Sequence, residues 1–524
     1  MGSTSEVDIC IVGAGVAGAL IAYHLGQAGY TVAVLESGPR YSYPDMERYG
    51  VLLRGGDPWP WFRQDLDDYE DLAEPALLLN SNRIKAVGGT TLHWNGNAQR
   101  LQPGDFKMRS LFGVAEDWPF EYADLEPWYQ RAEEEIGVCG DDAPGQPPRS
   151  APFPLPAFDY SHVERNFVMP AFERMGLPMG ANSAAINSRA RDGRPGCAVF
   201  STCIPMCPIH ARYTGLHHVQ KAEATGRVEI RSDCHVRRLR IDQGRRVGAV
   251  QFVGADGREH EVTARQFVLA GGGVENPRIL QLSASLNAGT DGLANSSGLL
   301  GRTFMSHSRI IVRGRLPEKF GPHRNGYATS NCWGLYQHDR LPEIGNIMLS
   351  PDPNNGPTPA TIARRSRAWG HDLLEAVKRE HGQELDIHVK GDMLPLPENR
   401  VRLSTRHKDR FGDPVPAVEI RLAEFDRRTL DYGAEVAKQL FSEMGATEIT
   451  GFGYGIMRNH LMGTTRMGQS PDSSVCDEWG RCHDLDNLYI AGGSLFATAG
   501  CSSPTLTIAA LALRTADYLD RAVL

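Results

Sequence analysis

The N-terminal sixty or so positions switch between two hydrophobic spacings. VDICIV (7–12) is a mostly apolar run of strand length, GAGVAG turns the chain through glycines, ALIAYHLGQAG carries apolar residues at helical spacing as far as Gly29, and TVAVLE (31–36) is a second mostly apolar run. Strand, glycine turn, helix and strand form one βαβ unit, the opening of an α/β fold with a parallel sheet. Between 226 and 285 the pattern alternates like strands, with ADG as a hairpin turn. It then ends in the apolar strand FVLA, a glycine turn and a helix, which returns the chain to the first sheet. The stretch 141–158, DDAPGQPPRSAPFPLPAF, is too rich in proline for a helix or a central strand and reads as a surface excursion. The middle, about 306–450, mixes strands with a charge-rich helical segment near 362–382. From NLYIAGGSLF a strand leads through small residues to a closing amphipathic helix, with Pro504 just before its start.

The first turn has the chemistry of a dinucleotide site. Gly13, Gly15 and Gly18 supply the tight turn, the close approach to a pyrophosphate and the close helix–strand contact, and Glu36 stands about twenty residues on, where a carboxylate accepts from ribose hydroxyls. Composition narrows the possibilities. With 524 residues the chain holds one large or two interleaved domains, and 41% hydrophobic content excludes disorder. No run approaches the length of a membrane span, and the N-terminus lacks the basic-then-apolar layout of a secretory signal. A net charge of −8 without a basic cluster argues against nucleic acid. A small-molecule substrate fits better.

Three thiols are crowded into GCAVFSTCIPMCPIH (196–210): Cys197, Cys203 and Cys207. A disulfide would leave one over. Three soft thiolates in a short loop make a metal cradle instead, either for zinc with His210 as fourth ligand or for an iron–sulfur cluster.

Five segments, VGGTTLHWNG (87–96), FVLAGGGVENPRIL (267–280), LPLPENRVRLS (394–404), NHLMGTTRMG (459–468) and LYIAGGSLFATAGCSSPTLTIAALALRTAD (488–517), resemble the glucose-methanol-choline (GMC) oxidoreductases in this order and over nearly the whole chain. Within that superfamily the chain is most similar to the catalytic subunits of bacterial FAD-dependent sugar dehydrogenases, with pyranose oxidases and glycoside 3-oxidases as cousins. The resemblance implies FAD in a discontinuous Rossmann-like domain, 1–305 with 452–524, that includes the cysteine segment 190–215. It also implies a substrate domain at 306–451 with a mixed or antiparallel sheet. Besides the first glycines and Glu36, it points to Gly88, Gly89, Thr90, His93, Trp94, Asn95, Val236, Gly493, Ser494 and Thr505 as flavin contacts. In pyranose oxidases the histidine of the segment similar to GGTTLHW is bonded to the flavin, so His93 is read as either a covalent or a packed contact.

The same likeness makes His460 the base, an imidazole being suited to take a hydroxyl proton near pH 7, with Asn459 supporting its loop. The family's second active-site residue, His or Asn, falls at Ser503 here. The cysteine spacing matches the three-iron, four-sulfur (3Fe-4S) site of FAD-dependent glucose dehydrogenases, which implies Cys197, Cys203 and Cys207 as ligands and a cytochrome c as electron acceptor. The expected substrate is a sugar or glycoside. A small partner subunit would carry the chain to the periplasm, the alternative location being the cytoplasm. Two alternatives remain: an oxidase that uses oxygen, and a catalytically impaired flavin-binding subunit.

Overall fold

The computed structural model describes residues 6–42, 50, 68–200, 202–242, 244–284, 292–320, 328–353 and 356–524. Ser201, inside the expected cysteine segment, lies outside them. The apolar runs read from the sequence pair as a parallel sheet in the order Leu488–Ile490, Ala264–Leu269, Val7–Val12, Val32–Leu35, Val228–Arg231. Its central strands are mostly apolar because helices cover both faces. The helices Val16–Gln27, Gly215–Ala224 and Thr505–Tyr518 pack here, so the two ends of the chain share one core. The hairpin read around ADG is present, joining Val247–Val253 to Glu259–Val262 in a three-stranded antiparallel sheet.

A second core is built on a larger antiparallel sheet ordered Thr447–Gly451, Ser308–Arg315, Glu384–Gly391, Ile347–Asp352, Ser330–Cys332, Met179–Ala181. It therefore takes a strand from before residue 306, and the packing of Val163, Val168 and Phe172 belongs to it as well. Alternation along Glu384–Gly391 divides the chemistry of this sheet. Leu385, Ile387 and Val389 pack into the second core with the helix Glu424–Glu443, while Asp386, His388 and Lys390 take the opposite face. The charge-rich segment near 362–382 is two helices, Pro359–Ser366 and Gly370–Glu380, because Arg367 ends the first in the left-handed conformation.

Two glycines are required by close approach. A Cβ on Gly18 would stand 2.0 Å from the carbonyl oxygen of Gly13. Gly13 itself, at φ +104°, would place one 2.7 Å from the carbonyl oxygen of Ala270. The turn between first strand and first helix thus fits only without side chains.

The C-terminal loop is held in place by the segment 99–105. Ser502 Oγ donates to the carbonyl of Arg100 (2.7 Å), and the Ser503 amide donates to Gln99 Oε1 (2.9 Å). Arg100 is 3% exposed and forks onto Glu133, Nε to Oε1 at 2.8 Å and Nη2 to Oε2 at 2.9 Å. Removing one partner of a buried ion pair strands the other charge. Because Arg149 still reaches Glu133 Oε2 at 2.5 Å, Arg100→Met is expected to cost about 3 kcal/mol, at the low end for such a loss. The midpoint of urea unfolding of the holoprotein checks this; an unchanged midpoint would contradict it.

Candidate active site

One cavity of about 1580 Å³, counting its solvent-filled mouth, runs from the first glycine turn to His460. Gly13, Gly15, Glu36 and Val236 wall one part, and Thr90, Trp94, Asn95, Gly493, Ser503 and Thr505 wall others. The helix Val16–Gln27 starts at Gly15 with no side-chain cap and no acidic residue in its first turn, so its amide groups stand ready for a pyrophosphate. The closing helix also starts without a side-chain cap, at Pro504. Glu36 accepts from the Ala14 and Gly38 amides, both at 2.9 Å, and burial pushes its carboxyl up to about 7. A buried carboxyl at this place suits the ribose hydroxyls of a dinucleotide. The residues present therefore fit FAD.

Several expected contacts stand behind the wall rather than on it. Gly18 and Gly88 are packing positions, Gly89 lies on the wall, and Ser494 is buried with its hydroxyl taking a bond from Asn276 Nδ2 at 2.9 Å. His93 requires a correction: it is not among the residues that wall the cavity. It is buried, it bonds the backbone of Asn82, and burial followed by the charge of Arg212 pushes it down to about 3. The neighbouring Thr90, Thr91 and Trp94 face the cavity instead. A short helical turn over Gly89–Leu92 sets which side chains point inward, and no motif states that.

His460 and Ser503, forty-three positions apart, wall the same cavity. The residue that sequence reasoning missed is His307, fully buried and immediately before the strand Ser308–Arg315. Its Nδ1 lies 2.6 Å from Nδ1 of His460, with the rings edge to face. Its Nε2 points to the carbonyl of Ala499 at 3.4 Å, and the Gly500 carbonyl also accepts from this ring. A carbonyl only accepts, so His307 carries its proton on Nε2 and presents a lone pair at Nδ1. His460 must then donate from Nδ1, which leaves its Nε2 a bare acceptor. The only sequence-level trace of this was a polar residue at the edge of an apolar strand.

Burial, and then the Lys390 charge, hold His307 down at about 3; burial, His307 and Lys390 hold His460 well below its usual value. Both rings are neutral at physiological pH. The Ser503 hydroxyl takes no partner among the described residues, while its amide is fixed by Gln99.

The cysteines are brought to one neighbourhood. Cys203 packs with Cys139, Leu155, Ala184 and Ile186, Cys197 packs against them, and the charges of Cys197 and Cys207 each bear on Cys203. Among the described residues, however, no three His, Cys, Asp or Glu side chains converge to hold a single metal ion. The fully buried Arg212 joins this loop to the flavin loop: its Nη1 donates to the Cys203 carbonyl at 2.6 Å and its Nη2 to that of Leu92 at 2.7 Å. Next to it, Trp94 Nε1 donates to the Tyr213 carbonyl at 2.8 Å.

Models described as GMC oxidoreductase match residues 82–308 and 395–512, and one described as FAD dependent oxidoreductase matches 8–141. The chain belongs to the GMC oxidoreductase family. It is an FAD-dependent oxidoreductase of alcohol groups. The fructose dehydrogenase large subunit of Gluconobacter japonicus is 32% identical over 98% of each chain. The 6'''-hydroxyparomomycin C oxidase of Streptomyces lividus is 30% identical over 97% of this chain and 90% of its own. Among solved structures, pyridoxine 4-oxidase from Mesorbium loti superposes with a TM-score of 0.68 at 21% identity, covering 98% of this chain and 99% of that one. At that identity the likeness speaks for the GMC fold.

The depressed histidines set a pH dependence. Between the ordinary value of 6.5 and the folded value of about 3 for His307, the unfolded chain binds protons that the folded pair refuses, so stability falls as pH falls through this window. The acid limb of kcat/KM for flavin reduction is expected below about pH 5, well under an ordinary histidine. His307→Ala should lower the reductive rate by about ten- to a hundredfold, the loss of one or two hydrogen-bond equivalents, and move that limb upward. His307→Asn, which still accepts at its carbonyl, should recover part of both. An acid limb near 6.5 in the unaltered enzyme would overturn the assignment of the pair.

Proposed function

We propose that this chain oxidises a hydroxyl group of a sugar or glycoside, with His460 Nε2 taking the hydroxyl proton. The observation that carries the reading is the 2.6 Å contact of His307 with His460, which walls a cavity that fits a dinucleotide. When bound there, FAD supplies the hydride acceptor. The residues do the rest. His460 presents an unprotonated nitrogen, and the proton it takes is shared through Nδ1 with His307, which spreads a charge that a buried site bears poorly. The Ser503 hydroxyl and the amide of Asn97 stand on the same wall to orient the substrate. The relatives named fructose dehydrogenase large subunit and 6'''-hydroxyparomomycin C oxidase support the substrate class.

Cys197, Cys203 and Cys207 would, in this reading, hold a three-iron, four-sulfur cluster, with a cytochrome c as the proposed electron acceptor. Such a cluster would convert a two-electron delivery into single-electron steps. Its support is the cysteine spacing and the bridge of Arg212 between the cysteine and flavin loops. A small partner subunit and a periplasmic location belong to the same proposal, in keeping with a relative named as a large subunit. The oxidase reading, in which the thiols are structural, is favoured by one observation: no three ligands converge for a single ion among the described residues.

Two measurements on anaerobically purified holoprotein test these readings. Sugars are expected to bleach the flavin absorbance, and His460→Ala to slow that step by about a hundred- to ten-thousandfold with FAD retained. No bleaching by any sugar or glycoside, or a variant within a few-fold of the parent, would overturn the catalytic reading. Iron close to three per flavin, with an EPR signal in the oxidised state, is expected for the cluster. Absence of iron together with stoichiometric hydrogen peroxide in air would establish the oxidase.

A further inference from the structure

Two buried thiols that the proposed chemistry does not use face each other across the turn 476–482. Cys476 is fully buried, Cys482 is 3% exposed, and their sulfur atoms stand 3.9 Å apart. The two residues are antiparallel partners. The Asp477 amide donates to the carbonyl of Arg481 at 2.9 Å and the His483 amide to that of Val475 at 3.1 Å, so the cysteines occupy the non-hydrogen-bonded place between two ladder bonds. At such a place the Cα atoms of the two arms come closest, about 4.5 Å apart, which lies inside the span that a disulfide bridges. Closing the remaining gap takes rotation of the two side chains.

The turn is set before any bond between the sulfurs forms. Asp477 Oδ1 accepts from the Trp479 and Arg481 amides, both at 2.9 Å, and Gly480 turns at φ +80°, where a Cβ would stand 2.5 Å from the Ile490 carbonyl oxygen. Cys482 is fixed by its own amide, which donates to the Leu488 carbonyl at 2.9 Å. Two other segments depend on this turn. Thr515 Oγ1 donates to the Trp479 carbonyl at 3.0 Å, Arg514 Nη2 donates to Glu478 Oε2 at 2.9 Å, and the Trp479 ring stacks on Tyr518 with centroids 4.7 Å apart, which fastens the closing helix. On the other side, the Gly468 amide donates to the Cys476 carbonyl at 2.9 Å, which fastens the segment that follows His460.

We propose that Cys476 and Cys482 are a site of oxidative modification, a dithiol that closes to a disulfide and ties the closing helix to the segment after His460. The pair takes no part in oxidising the substrate. The oxidant is a low-molecular-weight disulfide of the glutathione type. The sulfur of Cys482, the less buried of the two, loses its proton and attacks one sulfur of that disulfide, releasing one thiolate. The sulfur of Cys476 then loses its proton, attacks Cys482 in the mixed disulfide and releases the second thiolate. Two S–H bonds and the external S–S bond are broken and the internal S–S bond forms; the electron pair passes to the external disulfide, whose two thiolates take up the two protons. Burial, and then the neighbouring Cys482, hold the Cys476 thiol well above its usual value, which makes the second attack the slow step.

The test holds the holoprotein in equimolar oxidised and reduced glutathione until the distribution is constant, blocks the remaining thiols with iodoacetamide in denaturant, and digests with trypsin. Cleavage after Arg481 separates the two arms. The disulfide then shows as peptides 467–481 and 482–514 joined to each other, with fragment ions placing the bond at Cys482 rather than Cys501. The joined form is expected to exceed the alkylated one by about tenfold or more. Both cysteines alkylated, or each carrying only glutathione, would overturn the proposal.

The linked holoprotein should also release its flavin at a temperature a few degrees above that of the reduced form, a difference that Cys482→Ser removes. Equal release temperatures for the linked and reduced forms would overturn the tie between the closing helix and the segment after His460. If the serine variant does not fold, the joined peptides and the comparison of linked with reduced protein decide alone.

Discussion

Two buried imidazoles 2.6 Å apart cannot both be charged, and burial keeps both neutral until one takes the substrate proton. That contact is also where the two cores of the molecule meet. His307 leads into the large antiparallel sheet of the second core, whereas His460 walls the cavity that begins at the first glycine turn. The chemistry of the site therefore depends on how the cores dock: the carbonyls of Ala499 and Gly500, from the C-terminal loop, set the tautomer of one ring, which sets that of the other. A shift of the sheet by one residue would carry His307 to the opposite face and leave His460 without a fixed proton.

The seam around this contact is polar, and it is satisfied by partners drawn from distant segments. Tyr336 donates to Asp105 Oδ2 at 2.7 Å and accepts from the Cys501 amide at 2.7 Å. Asn346 donates to Asp392, and burial raises both Asp105 and Asp392 to about 7. An amide chain extends it: Gln99 Nε2 and Asn331 Nδ2 both donate to Asn182 Oδ1, at 2.8 and 2.7 Å, and Asn182 Nδ2 donates to Asn97 Oδ1 at 2.8 Å. Networks of this kind fix a single docking geometry because a partly satisfied arrangement is costly. The same geometry holds Ser503 beside the cavity, through Gln99.

A buried arginine performs a similar task on another side of the cavity. By bonding one carbonyl in each loop, Arg212 keeps the cysteine segment against the turn that carries Thr90 and Trp94. The adjacency sets the cysteine segment beside the loop that carries Thr90 and Trp94, and His93 lies in the field of that guanidinium and bonds the Asn82 backbone.

The sequence by itself determined the βαβ opening, the strand-rich middle, the closing helix and the dinucleotide turn. Each of these is local in its physics: a strand announces itself by its apolar run, a glycine turn by the lack of Cβ atoms, and a family segment by contiguous residues. Tertiary structure alone decided that His307 is the partner of His460, that His93 stands off the cavity wall, that a strand at Met179–Ala181 joins the second sheet, and that Cys476 faces Cys482 across a turn. The physical reason is that each of these depends on which face of an element is turned toward which neighbour. Across a strand one residue reverses the face, and a proton's position on an imidazole follows from a carbonyl nearly two hundred residues away, as between His307 and Ala499.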